Sequence, residues 1–289
     1  MEEQIISSTQ NPKIKRLLLL QQKSQERRKQ GVFVVEGRRE LEHCIEAGYE
    51  VESAFVSVEC RVESVEFATA LQSQLRTAVA NSTLYTLHST LSPLTSQLYT
   101  VSPQVYERIA YRGSTEGIMA IVRAKSHRLE DLQLRDNPLV MVLESVEKPG
   151  NLGAVLRSAD AAQADAVIVC DPLTDLYNPN LIRSSIGAIF TVPTVACTSE
   201  ACIAFLQQRG IQILTAQLQD SSLYYDTPMT GPTAIVMGTE STGLTDQWRR
   251  AATAHIRIPM LGRLDSLNVS VSAAILLFEA VRQRQAHHA

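Results

Sequence analysis

The chain has 289 residues, of which 45% are hydrophobic and 20% are charged. These proportions are those of a folded globular protein and exclude a largely disordered chain. A formal net charge of −3 also excludes a protein that binds polyanions over its whole surface.

The cysteines and the apolar runs indicate whether the protein binds metal, is secreted or spans a membrane. Five cysteines are scattered along the chain, and none has the spacing of a zinc motif, so we predict reduced, partly buried thiols and no metal site. The acidic start MEEQIISSTQNPK has no hydrophobic stretch and does not predict a secretory signal. The apolar run 269–281 is shorter than the ~20 residues that a membrane span needs. A cytoplasmic protein without a membrane partner is expected.

The first 123 residues read as a small α/β domain. Helical spacing covers 11–30, 38–48 and about 63–78, and strands are predicted at 31–37, 51–58, 83–87 and 117–124. Residues 1–40 have a net charge of +4 and residues 41–80 a net charge of −5. This asymmetry suits a patch that faces a phosphate backbone, although a solvated helix face would have the same composition. The candidate RNA-contacting residues are Lys13, Lys15, Arg16 and Arg38.

A polar segment at 124–137 separates this domain from a second one at 138–289. The segment ends in Asn-Pro, which is typical of a linker. Apolar strands then alternate with helices predicted near 151–163, 180–187, 199–209, 244–250 and 268–285. Such alternation indicates a parallel sheet with helices on both faces, and ligands bind such sheets at the carboxyl ends of the strands.

Three loops in this second domain carry unusual residues. The first, ESVEKPGNLGAVLR, places Asn151 where a helix N-cap is favoured, and Gly153 leaves room for Arg157 to reach back toward the strand ends. The second, GTESTGL, has Gly238 and Gly243 for close approach to a ligand. The third is IPMLGRLDSLN, which opens a long apolar helix. Each loop has a plain structural alternative: a capped helix with a surface arginine, a surface carboxylate at position 240, or an N-cap at position 266 or 268.

Together, NxGxxxR, GTESTGL and IPMLGRLDSLNVSVSAAI resemble the three signature motifs of the SpoU (TrmH) family of RNA ribose 2′-O-methyltransferases, in the SPOUT superfamily. The resemblance covers about residues 138–285. The N-terminal segments NPKIK and FVVEG are similar to the L30e-like RNA-binding domain often fused to this enzyme. The resemblance implies S-adenosylmethionine as cofactor, RNA as substrate and a homodimer. It also implies a deep trefoil knot in the C-terminal domain, with the last helix surrounded by protein or by the partner subunit.

The resemblance also implies site residues. Those assigned to catalysis are Asn151, Arg157, Glu240, Ser266 and Asn268. Those assigned to the cofactor are Met237, Gly238, Glu240, Gly243, Ile258, Met260, Leu267 and Asn268. Arg157 is further assigned to RNA, beside the partner subunit's cofactor. An arginine whose pKa exceeds about 12 is an awkward base, so we interpret Arg157 as a donor to the developing alkoxide or to a phosphate.

Ribosomal RNA is the expected substrate, and transfer RNA is the alternative. A non-catalytic RNA-binding protein with the same fold is a second alternative, although the presence of Asn151 and Arg157 argues against it. A Rossmann-type oxidoreductase is disfavoured because the chain lacks Gly-x-Gly-x-x-Gly.

Overall fold

The computed structural model describes residues 5–60, 98–111, 117–239, 241–263 and 266–288. The chain divides into two compact units, Met1–Lys125 and Ser126–Ala289. The predicted helix near 63–78 and the predicted strand near 83–87 lie outside the described residues, as do Glu240 and Asp265.

The first unit contains a four-stranded mixed sheet. Its strands, in the spatial order β1-β4-β2-β3, are β1 (Val32–Glu36), β2 (Val51–Ser57), β3 (Leu98–Val101) and β4 (Ile118–Arg123). Strand β4 is antiparallel to both neighbours, whereas β2 and β3 are parallel. The sequence did not predict β3.

Four described helices accompany this sheet: α1 (Pro12–Gln22), α2 (Ser24–Gln30), α3 (Arg38–Glu46) and α4 (Pro103–Ile109). The sequence indicated one helical segment over 11–30, but Lys23 has extended backbone angles and divides it into α1 and α2. Ile14, Leu17 and Leu20 recur at helical spacing on α1 and are fully buried in the core of the unit. Helix α4 was not predicted.

The second unit contains a seven-stranded sheet, as the alternating pattern predicted. The spatial order is β7-β6-β5-β10-β8-β11-β9, and every strand pairing is parallel. The strands are β5 (Leu139–Glu144), β6 (Ala166–Cys170), β7 (Thr194–Cys197), β8 (Gln212–Ala216), β9 (Ser222–Leu223), β10 (Thr233–Met237) and β11 (Ala254–Arg257). All residues of β5, β6 and β10 are buried, because helices cover both faces of the sheet centre.

The described helices of the second unit connect these strands. They are α5 (Pro149–Ala161), α6 (Pro179–Ser184), α7 (Ala188–Thr191), α8 (Ser199–Gln208), α9 (Asp246–Ala251) and α10 (Val269–His288). The helix predicted near 180–187 is α6, which ends at Ser184; a second short helix, α7, follows Gly187, whose left-handed conformation separates the two. Among the described helices, none is long and apolar enough to cross a membrane.

Much of the segment indicated as a linker packs on the second unit. Leu129 and Leu132 are buried in its hydrophobic core. Arg135 donates from Nε to Asp165 Oδ1 at 2.7 Å and from Nη2 to Oδ2 at 2.9 Å, and its backbone N–H also donates to Oδ1. Residues 129–135 are therefore anchored structure and not a free tether.

Helix α10 is apolar on two faces, and the described residues of the chain cover only one of them. Ala273, Leu276 and Leu277 are fully buried where α10 packs against α5 and the sheet. Val271 and Phe278, two turns apart, are each 48% exposed. At the far end of the helix, the guanidinium of Arg284 donates to four backbone carbonyls. These belong to Asn137, Pro138, Met229 and Gly231.

Candidate active site

A cavity of about 420 Å³ opens at the carboxyl ends of β8, β10 and β11. This is the edge of a parallel sheet where ligands bind, and the volume is in the range of small-molecule sites. Seven of the residues predicted from the sequence line it. They are Met237, Gly238, Gly243, Ile258, Met260, Ser266 and Leu267.

The loop after β10 forms one wall of this cavity and is closed on itself. Thr239 N–H donates to Gly243 O at 3.3 Å, and Gly243 N–H donates to Thr239 O at 3.1 Å. A Cβ on Gly238 would lie 2.2 Å from the backbone carbon of Gly243, so only glycine fits there. The close approach that Gly238 permits is thus to the loop's own backbone. Glu240, at the tip of the loop, lies outside the described residues.

A smaller cavity, of about 120 Å³, adjoins the first. Asn151 and Lys148 line it, and it shares Gly238 and Thr239 with the larger cavity. Asn268 lies at the same place, since its Nδ2 donates to Asn151 Oδ1 at 3.2 Å. The structure thus brings the first and third motifs together through these two amides.

Asn151 is not the N-cap of its helix, contrary to the sequence prediction. Helix α5 begins at Pro149, so the cap position falls on Lys148, and Asn151 stands in the first turn. The N-cap alternative holds at the other helix: Asn268 Oδ1 accepts from Ser270 N at 3.0 Å and from Ser270 Oγ at 2.6 Å.

Arg157 lies apart from both cavities within this chain. It is exposed on α5 and lines neither cavity. Gly153 does not leave space for it, because a Cβ at that position would lie 2.1 Å from Ser184 Oγ. The glycine serves the packing of α5 against α6, and Arg157 is exposed in the single chain.

Three side chains of the site were missed by the sequence analysis. Glu144, 2% exposed at the end of β5, accepts from Thr245 N at 2.8 Å and from Thr245 Oγ1 at 2.6 Å. It thereby fixes the residue that follows the β10 loop. Gln217 and Arg249 line the larger cavity, and among the described residues Gln217 Oε1 and Arg249 Nε, both buried, have no hydrogen-bond partner. The position of Gln217 directly after β8 was an available signal, whereas Arg249 has none in the sequence.

Three of the four predicted RNA-contacting residues of the first unit interact with other side chains of that unit. Arg16 pairs with Glu52 and donates from Nε to Gln30 at 2.8 Å. Arg38 Nε lies 3.2 Å from Glu42 Oε1, and Lys13 Nζ lies 3.7 Å above the ring of Tyr99. Lys15 is exposed. Arg16 is thus the candidate most committed to structure, and the lysines remain the more available cations.

The fold and the cavity define a class of α/β enzyme in which loops at neighbouring strand ends enclose a small-molecule cofactor. Comparison with known proteins names the family. Residues 138–278 match the model of the SpoU rRNA Methylase family, and residues 11–120 match the MRM3-like substrate binding domain.

Individual relatives agree with these models. The 23S rRNA (guanosine-2′-O-)-methyltransferase RlmB of Photobacterium profundum is 40% identical over 178 residues, which are 60% of this chain and 73% of that protein. A crystal structure of an RNA 2′-O ribose methyltransferase is 36% identical, with a TM-score of 0.79 over 98% of this chain and 100% of that one. An AdoMet-bound rRNA methyltransferase from Sinorhizobium meliloti is 25% identical, with a TM-score of 0.82 over 98% of each chain.

The chain belongs to the SpoU rRNA methylase family. The predicted fold class is confirmed, as is the predicted enzyme class of S-adenosylmethionine-dependent RNA methyltransferases. The smaller N-terminal unit matches a substrate-binding domain, as the sequence predicted.

Proposed function

We propose that this enzyme transfers a methyl group to a ribose 2′-hydroxyl in ribosomal RNA of the large subunit, with guanosine as the modified nucleotide. The observation that carries the proposal is the pair of adjoining cavities at the three motif loops. One is large enough for a cofactor, and the other is lined by the Asn151 amide. The relative from Photobacterium profundum is named for this reaction on 23S rRNA, which supports both the substrate and the nucleotide.

The residues of the larger cavity suit S-adenosylmethionine. Ile258, Met260 and Leu267 offer an apolar wall for an adenine ring. Buried polar atoms without partners are rare in proteins, and this cavity has two: a carbonyl oxygen on Gln217 and a guanidinium N–H on Arg249. The first would accept from an amino group of the cofactor, and the second would donate to its carboxylate. When bound, S-adenosylmethionine supplies a methyl carbon that its sulfonium makes electrophilic.

The amides at the junction of the cavities would position the nucleotide. Asn151 lines the smaller cavity, and Asn268 holds its side chain. We assign Asn151 to the ribose, and Ser266 and Asn268 to the border between ribose and cofactor. Glu240 would support the loop beside them. Holding a hydroxyl in line with a methyl carbon in this way can lower the barrier by ~7–11 kcal/mol.

Arg157 would act in the second subunit of a homodimer. It is exposed and lines neither cavity of its own chain, and the part of the chain that the structure describes leaves the apolar face around Val271 and Phe278 partly exposed. A symmetric dimer would bury that face and place Arg157 beside the partner's cavity. There its guanidinium would stabilise the developing alkoxide or hold the adjacent phosphate, while the proton leaves to water or phosphate.

Two further features of the family belong to the proposal. We infer that the C-terminal segment passes through an earlier loop to form a trefoil knot. The insertion of β10 between β5 and β8, with α10 returning onto α5, supports this path. We also infer a cytoplasmic location, since ribosomal RNA is found there.

The proposal is tested by the transfer of labelled methyl from S-adenosylmethionine to unmodified ribosomal RNA and, in parallel, to transfer RNA. The product is digested and its nucleotides are separated. We expect label only in a 2′-O-methylated guanosine of ribosomal RNA. Label in transfer RNA would show that transfer RNA, and not ribosomal RNA, is the substrate. Label on a base would reject methylation of the ribose. Cofactor binding without transfer to either RNA would favour the non-catalytic alternative.

A further inference from the structure

We propose that Cys170, Cys197 and Cys202 form a binding site for one thiophilic metal ion in the C-terminal unit. Their three Sγ atoms all lie within 4.8 Å of one another, and all three thiols are free. The cluster is separate from the two cavities described above, since none of the three lines either cavity. The proposal is independent of the methyl-transfer reaction.

Three different elements bring the cysteines together. Cys170 and Cys197 are the last residues of β6 and β7 and face each other in the parallel register. Asp171 N–H donates to Cys197 O at 2.9 Å, which holds the two strand ends at this point. Cys202 stands one turn into α8, where its N–H donates to Thr198 O at 3.1 Å. The backbone thus fixes all three Cα positions, and only side-chain rotation is left to adjust.

The spacing of the sulfur atoms suits a single ion. Three sulfurs at the usual Zn–S distance of about 2.3 Å lie about 3.8 Å apart in tetrahedral geometry. The three sulfur atoms, which lie within 4.8 Å of one another, can therefore reach this separation by small rotations about χ1. Cys170 and Cys202 are fully buried and Cys197 is partly exposed, so the cluster has an inner side among apolar residues and an outer side toward solvent.

The charges around the cluster favour a cation. Hydrogen bonds from the thiols of Cys170 and Cys202 lower the pKa of the Cys197 thiol, while the negative charges of Asp171 and Glu130 act on it in the opposite direction. A negative field disfavours three bare thiolates, and a bound cation reverses that effect. The positive end of the α8 dipole lies on the side of Cys202 and stabilises the thiolate form, which is the form that binds a metal ion.

The donor set selects soft ions. Three thiolate ligands suit Cu⁺ in trigonal coordination, or Zn²⁺ with a water molecule as the fourth ligand. The partly exposed side at Cys197 gives that water access. Each thiol that becomes a ligand releases its proton to solvent, and no electron is transferred. Bound metal would join β6, β7 and α8, which otherwise meet through apolar contacts and a few hydrogen bonds.

The test uses the full-length protein, reduced and freed of metal with a chelator. It is titrated with Zn²⁺ or Cu⁺ against a competing chromophoric chelator, and bound metal is measured by elemental analysis. Alkylation of Cys197 is followed with and without metal. We expect one equivalent of at least one of the two ions, slower alkylation of Cys197 and a higher melting temperature in its presence. The ion that binds in this way identifies the occupant.

Matched variants separate this site from other thiols. Cys44 is equally buried but lies in the other unit, so Cys44→Ala is expected to keep the metal affinity. Cys197→Ala, at the partly exposed position, is expected to fold and to lose affinity by more than about 10-fold. Cys202→Ala repeats the test on a buried ligand. Wild-type protein that takes up neither ion, or Cys197→Ala protein that binds as tightly as wild type, would overturn the proposal.

Discussion

Asn268 joins the first and third motifs by donating from Nδ2 to Asn151 Oδ1, across 117 positions of the chain. With its Oδ1 it accepts from Ser270 N and Oγ and so caps α10. One side chain therefore starts the apolar helix and orients the amide that lines the smaller cavity. This explains why a helix with so many apolar residues begins in a polar cluster.

We expect Asn268→Ala to lower both stability and methyl transfer. Loss of an N-cap costs about 0.5–2 kcal/mol, and the freed Asn151 amide would no longer be held toward the ribose. Urea unfolding measures the first effect, and kcat and KM for RNA measure the second. Ser270→Ala is the control, because it removes one contact at the cap and leaves the Asn151 contact intact. Equal loss of kcat in both variants would reject a positioning role for Asn268.

Gly238→Ala is expected to weaken cofactor binding strongly while the protein stays folded. The added Cβ would meet backbone atoms of Gly243 and Leu244 at 2.2–2.5 Å, so the loop that walls the larger cavity must open. Calorimetric titration with S-adenosylmethionine should show at least about 10-fold weaker binding, or a loss of about 1.4 kcal/mol. At Gly231 a Cβ would meet nothing within 4 Å, and Gly231→Ala should bind normally. Normal affinity in Gly238→Ala would contradict the assigned cavity.

Glu144→Gln tests the buried carboxylate behind the same loop. The amide would place an N–H group against the N–H or hydroxyl donors of Thr245, which now reach the carboxylate at 2.8 and 2.6 Å. An unsatisfied buried group costs about 1–3 kcal/mol, so we expect lower stability and a larger Kd for S-adenosylmethionine. Chemical unfolding measures the stability, and titration with S-adenosylmethionine measures the Kd. Glu107→Gln, at an exposed position of the other unit, should change neither. Reduced stability with an unchanged Kd would limit Glu144 to a structural role.

The parts of the site that the sequence predicted are those with a local signal. Strands β5, β6 and β10 read as continuous apolar runs because both of their faces are buried. The position of Asn151 in its helix was misjudged because Pro149 starts α5 two residues earlier.

The parts that were missed depend on partners far away in the chain. Glu144 meets Thr245 across 101 positions, so no local pattern predicts that contact. The cysteines at 170, 197 and 202 have no motif spacing and meet only because β6 and β7 are neighbours in the sheet. The extended backbone at Lys23 and the packing of Leu129 and Leu132 likewise follow from tertiary contacts that override local propensity.

Asp165 gives the second unit a stability that depends on pH. Burial disfavours its charged form, but hydrogen bonds from Arg135 and from Leu139 N outweigh burial and lower its pKa below the usual value. A lowered folded-state pKa stabilises the fold above the unfolded-state pKa of about 3.9. That contribution is lost as the pH falls through the folded-state value.

Asp165→Asn should therefore be less stable than wild type at pH 7, by about 1–3 kcal/mol. The difference should begin to shrink as the pH falls below about 4, where the unfolded chain takes up the proton, and should be smallest below the lowered folded-state pKa of Asp165. Urea unfolding at a series of pH values measures it. Asp136→Asn, at a nearby exposed carboxylate, is the control and should show little difference at any pH. A difference for Asp165→Asn that stays constant below about pH 4 would show that the charge is not its cause.

Mixing two inactive variants tests whether Arg157 serves the partner's cavity. Arg157→Ala lacks the guanidinium but keeps its cavity, and Gly238→Ala keeps the guanidinium but has no usable cavity. If the arginine acts across the dimer, each mixed dimer has one complete site, formed by the intact cavity of one subunit and the Arg157 of the other. Statistical mixing makes half of the dimers mixed, so about one quarter of wild-type activity should return. If each arginine served its own chain, no site in the mixture would be complete and activity would stay at the level of the separate variants. Phe278→Glu in both subunits provides the control, since a charge on the apolar face of α10 should prevent association and abolish the recovery.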